Sequence, residues 1–278
     1  METIDVGTPS FADVGEARLA WTEFGEGSPL LLIRGLGTQM IEWPRAYVDR
    51  FVAAGHRVIV FDNRDCGLSS DHAETPYGMD AMARDCVGLL DHLGIERARA
   101  FGISMGGMIV QHLAISHGDR FERLVSVMSS TGNPDLPRPA PHILEALTAP
   151  PPGTLEAAIV QNAEGRLLFG SPAWPLPEAD RLALARRALE RAWRPDGVAR
   201  QYRAILADGA RNAALARVTT PLLVIHGADD PLVPLAGGED TAASVPGSEL
   251  EVIAGMGHDL PEALAERIVD RVSAFFAG

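Results

Sequence analysis

The 278-residue chain contains no lysine, and all 24 of its basic residues are arginine. That absence removes a phosphate loop ending in Gly-Lys-Ser/Thr, a Schiff-base lysine and a Ser-Lys nucleophile pair, each of which needs a side-chain amine. Cysteine is nearly as scarce. Cys66 and Cys86 stand twenty residues apart with no CxxC, so neither a disulfide framework nor a zinc-ribbon spacing is available, and both read as reduced thiols. No apolar run reaches the roughly 18 residues of a membrane-spanning helix. Met1 to Gly15 carries Glu2, Asp5 and Asp13 and lacks the basic-then-apolar pattern of a secretory signal. A cytoplasmic protein with no membrane partner is therefore expected. Positive charge is in deficit too: 37 acidic residues against 24 basic give a net charge of -13 with no basic cluster, which argues against nucleic acid as a partner.

What is present is the balance of a folded globular chain, 46% hydrophobic and 22% charged. Short apolar runs at Pro29 to Ile33, Arg57 to Phe61, Arg97 to Ile103 and Leu124 to Met128 read as buried strands. Between them Trp43 to Ala53, Met79 to Leu93 and Met105 to His117 space apolar residues three or four apart, as helices do, with Gly94 and Gly118 placed as carboxyl-terminal caps. Strand-helix alternation predicts right-handed crossovers and a mostly parallel sheet with helices on both faces. The alternation stops at Ser129. From there to about Val218 the chain is proline-punctuated and helical, with helices predicted over Leu182 to Trp193 and Val198 to Ala213. Strand character returns at Pro221 to His226 and Glu249 to Ile253, and Pro261 to Phe276 closes the chain as a helix. This predicts one α/β core, residues 1–130 and 216–278, interrupted by a helical cap at 131–215.

The strongest local signal is Gly102-Ile103-Ser104-Met105-Gly106-Gly107, set where a predicted strand meets a predicted helix. In that position G-x-S-x-G is a nucleophile elbow: the tight turn forces Ser104 into strained backbone angles, and the flanking glycines remove side chains that would clash. An ordinary strand-to-helix turn is the bland alternative. A serine hydroxyl is a weak nucleophile, so it needs a base, and the base needs an orienting acid. Asp230, in His226-Gly227-Ala228-Asp229-Asp230-Pro231, falls at the carboxyl edge of the sheet, and His258 follows the last strand in Gly255-Met256-Gly257-His258. Asp229 is the alternative acid, while Asp259 reads as a cap of the final helix. His56, His72, His92, His112, His117 and His142 suit structural roles, and His226 suits holding the loop by hydrogen bonds. For a tetrahedral oxyanion, the N–H of Met105 at the helix amino end is one donor, and Leu36 in Arg34-Gly35-Leu36-Gly37 supplies the second.

With the order Ser104, Asp230, His258 and two glycine loops, the chain resembles the α/β-hydrolases from about Phe11 to Phe276. More narrowly, Arg34-Gly35-Leu36-Gly37 with Trp43-Pro44, followed by Phe61-Asp62-Asn63-Arg64-Asp65-Cys66-Gly67-Leu68-Ser69, resembles the aclacinomycin methylesterase branch, which cleaves a methyl ester on a polyketide. Arg34 stands where most of the family carry His, and Asp65 where most carry Gly. The resemblance implies a helical cap over Ser104, and Phe169, Trp174, Trp193 and Tyr202 fall within it. Met40, Trp43 and Trp174 are the expected substrate contacts. The implied enzyme is a serine carboxylesterase acting on a small hydrophobic ester, methyl or aromatic, with no cofactor and no metal, as a monomer or homodimer. A lactonase or a carbon-carbon bond hydrolase would use the same residues, the latter adding cap cations such as Arg166, and a small-molecule receptor on a hydrolase fold is the non-enzymatic alternative.

Overall fold

A computed structural model describes all residues, Met1–Gly278. Eight strands form one sheet: β1 (Ser10–Val14), β2 (Ala17–Phe24), β3 (Ser28–Ile33), β4 (His56–Phe61), β5 (Ala98–Ile103), β6 (Phe121–Val127), β7 (Leu222–Gly227) and β8 (Glu249–Ile253). Their spatial order is β1-β2-β4-β3-β5-β6-β7-β8. β2 pairs antiparallel with both β1 and β4, and every later pairing is parallel. The six strands read from apolar runs are present within a few residues of the expected bounds. The β1–β2 hairpin went unread because β2 is buried only at Ala17, Leu19 and Ala20 and is interrupted by exposed Arg18 and Glu23, which leaves no continuous apolar run.

The central parallel strands β3 to β7 are buried through their carboxyl-terminal halves because both faces are covered there, and successive side chains go to opposite faces. Leu31 and Ile33 of β3 enter one cluster while Leu30 and Leu32 enter the other. In β7, Leu222 and Val224 part from Leu223 and Ile225 in the same way. The first face is closed by α2 (Met79–His92) and α3 (Met105–Ser116), the second by α1 (Arg45–Ala53) and α10 (Ala265–Ala277). In α10 the buried residues Ile268, Val269, Val272, Phe275 and Phe276 fall on one stripe. Truncating a fully enclosed side chain such as Phe101 to alanine should cost about 3–5 kcal/mol.

Between β6 and β7 the chain forms α4 (Pro141–Leu147), α5 (Leu155–Phe169), α6 (Glu178–Arg191), α7 (Pro195–Asp208) and α8 (Asn212–Leu215), and α9 (Ala236–Ser244) follows β7. The helix read as Val198 to Ala213 is thus two, broken at Gly209, whose φ of +70° only glycine adopts freely. There the two ends of this helical segment meet: the Arg211 N–H donates to the Thr131 carbonyl at 2.9 Å, and a Cβ on Gly132 would lie 2.2 Å from the Gly209 oxygen. Gly94 takes the left-handed conformation expected of a cap, but Gly118 does not. α3 ends at Ser116 and Gly118 instead opens a short 3-10 turn, so that reading is corrected.

Candidate active site

Ser104 directly follows β5 with φ 55° and ψ −119°, a region that costs a non-glycine residue about 1–3 kcal/mol. The turn is held by backbone bonds on both sides: the Ser104 N–H donates to Val127, and the Ser104 carbonyl accepts from Gly107 and Met108. The glycines are required by contact. A Cβ on Gly102 would lie 2.1 Å from the Gly106 oxygen, and one on Gly106 would lie 2.2 Å from the Ile33 oxygen. The amino end of α3 therefore sits directly on the end of β3, with Ser104 raised above the carboxyl edge of the sheet, where open α/β sheets bind ligands. A surface groove of about 690 Å³ near Arg97, Gly118 and Pro221 lies at the opposite strand ends and holds none of these residues.

The loops after β7 and β8 bring two further side chains to Ser104. The Ser104 hydroxyl donates to His258 Nε2 at 2.9 Å, and His258 Nδ1–H donates to Asp230 Oδ2 at 2.7 Å. The other Asp230 oxygen accepts from the N–H groups of Leu232 and Val233 at 2.9 and 2.8 Å, so the enclosed carboxylate is fully solvated by the protein. Asp229 faces elsewhere and accepts the Gly255 N–H at 2.7 Å, bracing the His258 loop from outside. His226, completely enclosed, donates from Nε2 to the Val233 carbonyl at 2.8 Å, and burial holds its pKa below the ordinary 6.5. Asp259 is no helix cap: it accepts from both the N–H and the hydroxyl of Ser171, while burial pushes its pKa up.

On the other flank, Gly35 lies against the nucleophile, where a Cβ would come within 3.0 Å of Ser104 Cβ and 3.4 Å of its Oγ. Neither the Leu36 nor the Met105 N–H donates to a protein acceptor. Two of the expected substrate contacts are corrected. Met40 and Trp43 are completely enclosed in the core cluster behind this loop, with Trp43 against Phe101, because their apolar surface closes the second face of the sheet. Trp174 is half-buried against Gly255 and the second core cluster. Phe169, Trp193 and Tyr202 are likewise half-buried.

Several residues that build this site carry no sequence signal, because their partners lie far along the chain. The Phe169 carbonyl, at the end of α5, accepts the His258 N–H at 2.8 Å, and the Ser171 hydroxyl accepts the Gly257 N–H at 2.9 Å. Gln201 of α7, wholly enclosed, accepts the Gly37 N–H at 2.8 Å and donates to the Arg64 carbonyl at 2.7 Å. Asp65, left-handed at φ 65°, takes both Arg200 nitrogens at 2.8 Å along with the Tyr77 hydroxyl. Burial works against its charge, yet the Arg200, His72 and Tyr77 bonds hold its pKa below the usual range. Burial raises the Cys66 and Cys86 thiols, which lie enclosed and unpaired. No three His, Cys, Asp or Glu side chains converge in a way that would hold a metal ion, and no helix is long and apolar enough to cross a membrane.

A mostly parallel sheet with a serine on a strand-to-helix elbow, linked through histidine to an enclosed aspartate, defines a hydrolase of the α/β class. Residues 28–262 match the family described as alpha/beta hydrolase fold, and the chain belongs to that family. It is 32% identical over 268 residues to a rhodomycin D methylesterase of Streptomyces peucetius, covering 89% of this chain and 90% of that protein. It is 31% identical over 275 residues to a 2-hydroxy-6-oxononadienedioate/2-hydroxy-6-oxononatrienedioate hydrolase of Burkholderia vietnamiensis, covering 95% and 92%. Among solved structures, a hydrolase from Pseudomonas aeruginosa superposes with a TM-score of 0.76 at 28% identity, covering 99% of this chain and all of that one. The family and its methylesterase relatives make this protein a hydrolase with esterase chemistry.

Proposed function

We infer that the protein is a cofactor-free serine carboxylesterase acting on a small hydrophobic ester, with Ser104 as nucleophile, His258 as general base and Asp230 as its orienting acid. The observation that carries this reading is the unbroken hydrogen-bond chain from the Ser104 hydroxyl through both His258 nitrogens to Asp230, at 2.9 and 2.7 Å. As Ser104 Oγ attacks the ester carbonyl, its proton passes to His258 Nε2, and Asp230 stabilises the imidazolium. The carbonyl oxygen becomes an oxyanion, and the N–H groups of Leu36 and Met105 receive it. When the intermediate collapses, the carbon-oxygen bond to the alcohol breaks and His258 returns the proton to the leaving alkoxide. Water then repeats the sequence on the acyl-enzyme, releasing the acid and restoring Ser104.

Residues 131–215 act as a cap over this centre, with Phe169, Trp193 and Tyr202 offering apolar surface to the substrate body. The methylesterase relatives support an ester, and the absence of a strongly apolar helix with basic flanks argues against a lipid interface. Fluorophosphonate treatment followed by intact-mass analysis and peptide mapping should place one label on Ser104. Label on another serine, or none, would remove the mechanism. Across p-nitrophenyl esters from C2 to C16, kcat/KM should peak at short or compact acyl groups. A maximum at C12 or longer, with activation above the micelle threshold, would refute the enclosed pocket.

A further inference from the structure

Three arginines of this chain are enclosed: Arg34, Arg64 and Arg211. Two are neutralised, Arg64 by two bonds to Asp85 at 2.6 and 2.7 Å and Arg211 by its pairing with Asp208. Arg34, 8% exposed, has no carboxylate oxygen within 4.0 Å. Its Nε donates to the Thr38 hydroxyl at 3.3 Å, and its guanidinium lies 4.8 Å from the centre of the Trp43 ring. Both terminal nitrogens lack a protein acceptor and reach accessible space. Burial lowers the pKa of Arg34 to about 10, which still leaves it protonated at neutral pH. Enclosing an unpaired guanidinium is costly, so a cation kept this way is a candidate for ligand recognition.

Its position indicates which ligand. Arg34 precedes Gly35, which abuts Ser104. Glu42 and Arg166 are the charges that act most strongly on it, and Arg166 is bound to Glu42. Glu42 also accepts the Gln39 N–H at 2.7 Å, so its carboxylate is committed. Two guanidiniums thus act on one carboxylate, and of the two only Arg166 is bonded to it. Arg166 belongs to α5, whose last carbonyl holds His258. Arg34 therefore adjoins the residue that touches the nucleophile, and its guanidinium acts on the same Glu42 as Arg166 of the helix that fastens the base. Arg166, the cap cation singled out in the sequence, is already satisfied by Glu42.

We propose that Arg34 is an anion subsite of the substrate pocket, receiving a carboxylate on the acyl portion of the ester beside the scissile carbonyl. The proposal rests on the serine-esterase reading above. Thr38 and Trp43 hold the guanidinium in place, so its two terminal nitrogens can meet a carboxylate with little loss of freedom. The substrate then has an apolar body and one compact negative group, the hemi-ester of a dicarboxylic acid being the simplest example.

Two measurements test this. In the first, kcat/KM for mono-p-nitrophenyl glutarate is compared with that for p-nitrophenyl butyrate in the native enzyme and in Arg34→Met. The anionic-to-neutral ratio should fall roughly 10- to 100-fold in the variant, the size of a charge-assisted hydrogen bond, whatever loss is common to both esters. A ratio that does not change makes Arg34 a loop brace only and overturns the proposal. In the second, calorimetry on the native protein compares N-phenylglutaramic acid, a non-hydrolysable analogue, with its neutral methyl ester. Tighter binding of the acid by tenfold or more supports the subsite, and equal binding overturns it even if Arg34→Met fails to fold. Turnover of p-nitrophenyl butyrate reports separately on the esterase reading, so the two can fail independently.

Discussion

The serine turn and the two loops that face it are built by different means. Ser104 is held by the core alone: its backbone bonds run to β6 and α3, and Gly102 and Gly106 allow main-chain contacts that leave no room for a Cβ. The loops carrying His258 and Gly37 are fastened from the helical segment as well, the first by Phe169 and Ser171 beside its core brace Asp229, and the second by Gln201. Helices α5 and α7 therefore form part of the frame of the site. Perturbing the serine should remove chemistry and leave the frame, whereas perturbing the helical segment should loosen the site while Ser104 stays in place.

The largest effect is expected on the core side. Ser104→Ala should lower kcat by roughly 10⁴- to 10⁶-fold, with the thermal midpoint unchanged or raised, because alanine removes no packing contact. Circular dichroism melts alongside turnover check both halves. On the histidine side, Asp230→Asn should cost roughly 10³-fold or more, as it disturbs the His258 tautomer. Asp229→Asn should cost under about tenfold, since an amide oxygen can still accept the Gly255 N–H. A larger loss from Asp229→Asn would show that the acid had been assigned to the wrong neighbour.

Smaller losses should follow from cutting the ties to the helical segment. Gln201→Leu frees the Gly37 N–H, so kcat should drop about 10- to 100-fold, less than deletion of an oxyanion donor, with KM nearly constant. Affinity for a boronic-acid transition-state analogue should fall in parallel, and an unchanged affinity would mean that Gln201 only packs. Smallest is a pH effect beneath the His258 loop. Burial holds the folded-state pKa of His226 below its ordinary 6.5, so the unfolded chain binds the proton more readily. Its contribution to stability is complete above about 6.5 and is lost as pH falls toward the folded value. The melting temperature should drop by a few degrees, on the order of 2–4 °C per kcal/mol for a chain this size, between pH 7 and 5.5. His226→Gln should flatten that limb, and an acid limb of the same slope in the variant would assign the loss to other groups.

Legibility in the sequence followed the range of the interactions. The β3 to β7 runs were readable because strands covered on both faces are apolar through most of their length, and the Ser104 elbow because its glycines and serine are neighbours in the chain. The β1–β2 hairpin, half-exposed, offered no such run. Met40 and Trp43 looked like pocket residues because they are apolar and follow the Arg34–Gly37 loop, but apolarity cannot distinguish a pocket wall from core, and the structure encloses both.

By itself the sequence determined the α/β class, the order of serine, aspartate and histidine, and the two glycine loops that flank the nucleophile, because each depends on periodicity or on residues a few positions apart. Only the tertiary structure decided which of Asp229 and Asp230 faces His258, that Gln201 holds Gly37 across 164 positions, and that Arg166 is paired while Arg34 is not. Those choices are made by hydrogen bonds and ion pairs between distant segments, whose partners are set by how the helices and the sheet come together rather than by the local pattern of the chain.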